Sequence, residues 1–115
     1  MGRAQLCGYR FIINERGVAT IQEDQSSSVF GVLWEITEIH ERELDRREGV
    51  AKGSYNRIFV NVNDGDGVVT ALTYQDPITK IGRPRDGYLP RILSGAAEHE
   101  LPPEYYAEIA RWSAV

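Results

Sequence analysis

A single cysteine, Cys7, stands in a chain of 115 residues. One thiol cannot close a disulfide within the chain, so no disulfide framework is expected and a reducing cytoplasm is the default compartment. The thiol reads as a small hydrophobe at the start of a strand, with a nucleophile as the alternative. Histidine is also scarce. His40 and His99 lie far apart without cysteine companions, so no metal site is expected. No apolar run is long enough to span a bilayer, and no membrane partner is expected. Met1–Gln5 leads into no apolar core of the signal-peptide kind, so no export is expected. An excess of positive charge is missing too. The net charge is −4 with bases interleaved among acids, which argues against a nucleic-acid partner. The one basic knot, Gly82-Arg83-Pro84-Arg85, reads as a loop entering a helix, with phosphate or RNA contact as the alternative.

What is present suits an ordinary globular core. Hydrophobic residues make up 42% of the chain and charged residues 26%, which matches one compact domain over 1–115. The stretch 8–14 is aromatic and β-branched and predicts a strand. Glu15-Arg16-Gly17 marks a turn, and 18–22 predicts a short second strand. Polar Gln25-Ser26-Ser27-Ser28 predicts a loop. A third strand is expected over 29–36, with Phe30, Val32, Trp34 and Ile36 on its more apolar face.

Thr37 is a good N-cap for the charged run that follows, 38–48. Glu38 and Arg42, then Glu43 and Arg47, sit four apart with the acid first, the order that supports a helix. Ile36, Ile39 and Leu44 make a thin apolar stripe, so this helix should lie on the surface of the sheet. Gly49 is placed as its C′ residue. Strands are then expected over 55–62 and 68–74, joined by the turn Asn63-Asp64-Gly65-Asp66-Gly67. Asp86 is a candidate cap for a helix carrying Tyr88, Ile92, Leu93 and Ala96. A last helix starts at Leu101-Pro102-Pro103-Glu104 and carries Tyr105, Tyr106, Ile109 and Trp112. The order β-β-β-α-β-β-α-α predicts an α+β domain with a curled, mixed or mainly antiparallel sheet.

Two kinds of residue invite a functional reading. Tyr9, Tyr55, Tyr74, Tyr88 and Tyr105 fall near element ends, where pockets form, though tyrosine is also simply a good strand residue. Glu48 is the last charge before Gly49, at a boundary where a carboxylate can be drawn off a wet helix face into a cleft. Burial there would raise its pKa and make it a usable base and then acid near neutral pH. The other carboxylates of the run have partners at helical spacing and call for no function. Spacing alone leaves Glu48 a candidate.

Several segments carry a resemblance to one family. "FGVLWEIT" (30–37) looks like a strand preceding a catalytic helix. "ELDRREGVAKGSY" (43–55) looks like an acidic helix ending in Glu-Gly-Val and followed by Gly-x-Tyr. "ALTYQDP" (71–77), "GYLPRILSGAAEHELPPEYYAEI" (87–109) and "GYRFIINERGVATI" (8–21) fit in the same order. Together they resemble the γ-glutamylcyclotransferase-like proteins over essentially the whole chain. The resemblance implies a barrel-like curled sheet with short helices. It implies Glu48 as general acid/base, with Tyr55, Tyr74 and Tyr88 lining the substrate pocket. The implied reaction cyclises a γ-glutamyl group to 5-oxoproline and releases an amine, with no cofactor. Its partner would be a small-molecule γ-glutamyl amine or amino acid. Free γ-glutamyl amino acids, γ-glutamyl-ε-lysine and γ-glutamylated natural-product intermediates all stay open.

The chain departs from the family pattern at its start. A Tyr-Gly-Ser-Asn-type loop normally precedes the first matched strand, and its backbone N–H groups hold the ligand. Only Leu6-Cys7-Gly8-Tyr9 is comparable here. Losing one such donor raises a barrier by about 3 kcal/mol, so reduced activity is expected. An uncovered sheet edge predicts a homodimer or strand-exchanged oligomer. The alternative function is a non-catalytic small-ligand-binding or oligomerisation module that keeps the fold.

Overall fold

The computed structural model describes residues 2–47 and 55–114. Four strands and three short helices follow one another as β1 (Gly2–Ile13), β2 (Ala19–Leu33), α1 (Glu38–Arg47), β3 (Asn56–Asn63), β4 (Val68–Gln75), α2 (Tyr88–Glu98) and α3 (Pro103–Ala110), with a final 3-10 turn, Arg111–Ala114. The sheet order is β2-β1-β3-β4. Every strand pair is antiparallel, so of the two expected sheet types the antiparallel one is formed. Hairpin connections explain this for β1–β2 and β3–β4, since two strands joined by a tight turn can only run antiparallel.

The sheet is curled but not closed among the described residues. Its outer strands β2 and β4 approach at one end, where the Gln75 side-chain amide donates to the Ile21 carbonyl at 2.9 Å. The Asp76 N–H donates to Thr20 Oγ1, also at 2.9 Å. Backbone ladder gives way to side-chain bridges at this seam. Inside the curl, Leu6, Val60 and Val62 form a buried core with Ile21, Val29 and Ala71 packed on it. On the other side, Leu89, Tyr105 and Ile109 from α2 and α3 bury Phe11 and Phe30 of the first hairpin. Phe30 meets the Tyr105 ring edge-on at 5.3 Å, and Phe11 meets Trp112 similarly at 6.4 Å.

Two strand expectations are corrected. Strand β1 begins at Gly2 rather than near residue 8, and the two strands expected over 18–22 and 29–36 are one strand, β2, ending at Leu33. The long β1 supplies a pairing partner to both halves. Polar 25–28 falls inside β2, where the pairing jumps from Cys7–Ser28 to Tyr9–Glu23 and passes over residues 24–27. Gly8 allows the jump by adopting φ 86°. Leu6 and Tyr9, at an odd spacing, thereby reach the same core. The local signal was not empty, since Asp24 accepts bonds from the Ser26 N–H and from the hydroxyls of Ser26 and Ser27. Those bonds, led by the Ser26 hydroxyl, hold its carboxyl below the ordinary aspartate value. Cys7 is exposed rather than packed as a small hydrophobe.

The helix starts divide. Thr37 caps α1 as expected, accepting the His40 N–H at 3.3 Å. The Gly49 assignment lies outside the described residues. Asp86 does not cap α2. Gly87, at φ 76°, occupies the cap position without any side-chain bond, so the entry is made by backbone geometry. Pro103 opens α3, where its missing N–H is harmless. No described helix is long and apolar enough to cross a membrane.

The basic knot docks on the turn between β1 and β2. The Gly82 N–H donates to the Ile13 carbonyl, and the Arg85 N–H to that of Gly17. A Cβ on Gly82 would lie 2.4 Å from the Asn14 carbonyl oxygen and 2.6 Å from the Glu15 Cα. Both are backbone atoms that cannot swing aside. Gly82→Ala is therefore expected to destabilise the protein by roughly 1–3 kcal/mol, measured by urea denaturation.

Candidate active site

The sheet end around the β1–β2 turn and the outer face of β3–β4 hold the polar side chains of interest. In β3, Ile58, Val60 and Val62 face the core, so Arg57 and its cross-strand partner Tyr74 share the outer face. Helix α1 lies over them. None of its described residues is buried, and Ile39 of its expected apolar stripe is 67% exposed. It is attached to the hairpin by charge instead.

Arg57 pairs with Glu41 and, at 3.2 Å, with Asp45. The Tyr74 hydroxyl donates to Asp45 Oδ1 at 2.6 Å. Glu41 and Asp45 are thus not simply a solvated face. Among the described residues, the expected Glu38–Arg42 and Glu43–Arg47 pairs do not form. Burial, reinforced by the bond to Asp45, pushes the Tyr74 phenol up to about 12. Burial also raises Tyr105.

These shifts give a pH dependence of stability. A phenol whose folded pKa exceeds its unfolded value near 10 favours folding fully below that pH. The contribution is lost as pH climbs toward about 12, because the unfolded chain gives up its proton first. Unfolding free energy should fall across that window in denaturant titrations, and fall less in Tyr74→Phe.

The second cluster spans three elements. Asp76, just past β4, is fully buried, and its Oδ2 sits 2.8 Å from Arg16 Nη1. Its Oδ1 accepts the Ile78 N–H at 2.9 Å. Asn14, also fully buried, accepts the Arg16 N–H and donates to the Ile78 carbonyl. The Arg16 guanidinium lies 5.9 Å from the centre of the Tyr55 ring. Tyr88, opening α2, accepts the Ala19 N–H on its hydroxyl at 2.9 Å.

Of the sequence-derived site residues, Tyr55 and Tyr88 border the β1–β2 turn, through Arg16 and Ala19 respectively. Tyr74 instead faces α1. Glu48 lies outside the described residues. Arg16, Asp76, Arg57 and Asp45 were not singled out as site residues. In the sequence Arg16 reads as a turn residue and Asp45 as one charge of the helical run, and nothing sets Asp76 apart. No local pattern links residues 16 and 76.

A separate cleft of about 150 Å³ opens within the curl, lined by Leu6, Ile21, Val29, Val60, Val62 and Ala71 among others. None of the three tyrosines lines it. Among the described residues no group of His, Cys, Asp or Glu is arranged to hold a metal ion.

Comparison with known proteins gives these features a context. The model of the AIG2-like family matches residues 28–109. The γ-glutamylcyclotransferase of Bos taurus is 35% identical over 94 residues, covering 81% of this chain and 50% of that protein. Its Homo sapiens counterpart is 33% identical with the same coverage. The chain spans half the length of these relatives. A solved γ-glutamyl cyclotransferase superposes with TM-score 0.87 at 27% identity, over 96% of this chain and 72% of that one. YkqA from Bacillus subtilis superposes with TM-score 0.88 at 30% identity, over 98% and 44%. The family match covers most of the chain and the superpositions nearly all of it, so the chain belongs to the AIG2-like family, with γ-glutamylcyclotransferases among its homologues.

Proposed function

We propose that this protein is a γ-glutamylcyclotransferase acting on a small γ-glutamyl amine or amino acid. The observation that carries this reading is its similarity, in sequence and in fold, to γ-glutamylcyclotransferases. In the proposed reaction the free α-amine of the γ-glutamyl group attacks its own γ-carbonyl carbon. A ring C–N bond forms, the original amide C–N bond breaks, and 5-oxoproline and an amine result. Glu48 takes the proton from the attacking ammonium and returns one to the leaving amine, so one carboxylate serves both steps. Nucleophile and electrophile belong to one molecule, which makes orientation the main task of the site.

Tyr55 and Tyr88 are assigned to substrate contact. Their position beside one turn supports this grouping. The resemblance gives Tyr74 the same role, and its bond to Asp45 suits a second task, holding α1 against the sheet. The test is 5-oxoproline release from γ-glutamyl amino acids by wild type and Glu48→Gln. Equal backgrounds would end the enzymatic reading and leave the non-catalytic module.

Self-association belongs to the same proposal. Strands β2 and β4 each pair on one side only among the described residues. Fifteen-residue β2 is long for an exposed edge. A homodimer is expected in sedimentation at micromolar concentration, and a monomer there would refute it.

A further inference from the structure

Arg16 is held at both ends. Its N–H donates to Asn14 Oδ1 at 3.0 Å, and its carbonyl accepts the Arg85 Nε–H at 3.0 Å. The next residue, Gly17, has φ 79°, and a Cβ there would lie 2.6 Å from the Arg85 Cγ and 3.1 Å from the Arg83 carbonyl oxygen. The backbone direction at this turn is therefore restricted. At the far end, Nη1 meets the fully buried carboxylate of Asp76. Asp76 is itself fastened by the Ile78 N–H and, through its backbone, by Thr20. The guanidinium then has little freedom, and the Tyr55 ring sits against it, 5.9 Å from centroid to guanidinium carbon.

We infer that Arg16 is the positioning residue for Tyr55, with Asp76 as its anchor. This rests on the reading of Tyr55 as a substrate-contact wall. A guanidinium is planar and can give an edge N–H to a carboxylate while a face meets an aromatic ring. A cation within about 6 Å of a ring centroid is attracted by the ring's negative face. The chain Asp76–Arg16–Tyr55 links the end of β4, the β1–β2 turn and the start of β3. It converts a buried charge into a fixed ring orientation at the sheet end. Arg16 acts here through Tyr55, so its effect belongs in substrate binding rather than in the chemical step.

The test compares wild type, Arg16→Lys, Tyr55→Leu and the double variant in the full chain. Lysine keeps a positive charge for Asp76 but has no plane to set the ring. Arg16→Lys is expected to raise KM for a γ-glutamyl amino acid about 5–10-fold with kcat within about twofold. In the Tyr55→Leu background it should add nothing further. An unchanged KM, or KM increases that multiply in the double variant, would overturn the inference. A second readout needs no turnover. In protein labelled at tyrosine rings, Arg16→Lys should shift the Tyr55 ring NMR signals, assigned by their loss in Tyr55→Leu, while those of Tyr106 stay in place. Unmoved Tyr55 signals overturn the positioning role whether or not 5-oxoproline is formed. Shifted signals without any 5-oxoproline from wild type support it and count against the cyclotransferase reading alone.

Discussion

Glu48→Gln should lower 5-oxoproline release by about 10²–10⁴-fold, the span expected for loss of a general acid–base group. Glutamine has the size and shape of glutamate but cannot take the proton from the attacking ammonium. The far-ultraviolet circular dichroism spectrum should be unchanged, which separates lost chemistry from lost fold. Some turnover should survive, because a γ-glutamyl group held in its folded shape keeps the advantage of an intramolecular reaction. The ratio of variant to wild type therefore measures the proton-transfer role apart from binding. A fall of only a few fold would move the acid–base assignment off Glu48. Substrate binding without turnover in wild type would favour the non-catalytic module.

Arg16→Ala is expected to destabilise the protein by about 3 kcal/mol. Asp76 is wholly buried, and Arg16 is its ion-pair partner at 2.8 Å. Removing the guanidinium strands a carboxylate in the interior, and that unpaired charge accounts for most of the cost. Arg16 is 34% exposed on its side chain, which places the value at the low end for buried pairs. Thermal melts should show a drop of roughly 10–20 °C. Asp76→Asn should cost less, because the arginine left behind can reach water and asparagine can still accept the Ile78 N–H. If Arg16→Ala melts with wild type, the pair contributes nothing, and the anchoring of Tyr55 through Asp76 is refuted as well.

These two residues differ in how they became visible. Glu48 stood out through a motif, Glu-Gly-Val followed by Gly-x-Tyr, and remains a proposal because it lies outside the described residues. Arg16 carries no motif. Its partner is 60 residues away, and Tyr55 lies just before β3. An ion pair of that kind leaves no periodicity in the chain, because neither residue is spaced from its own neighbours by the demands of the other. Asp45 is a different case. Helical spacing offered intrahelical partners for the charged run, yet Arg57 and Tyr74 across the sheet compete for Asp45 in a partly buried site. Exposed pairs within a helix gain only tenths of a kcal/mol, so they yield readily to tertiary partners.

Local chemistry alone determined the start of α1, where the Thr37 hydroxyl reaches the His40 N–H. It also determined the turn 63–67, where Asn63 and Asp64 accept the N–H groups of Gly65, Asp66 and Gly67. The start of α3 at Pro103 belongs with these. Each depends on contacts a few residues apart, which any stretch of chain can specify for itself. The merging of two expected strands into β2 was decided by β1, whose length offers partners on both sides of the irregularity at Gly8. The division of the tyrosines, with Tyr55 and Tyr88 beside one turn and Tyr74 under α1, was decided by the curl of the sheet and the placement of the helix over it. Hydrogen bonds and charge pairs act over a few ångströms, so which of them form is set only when the fold has brought distant segments together.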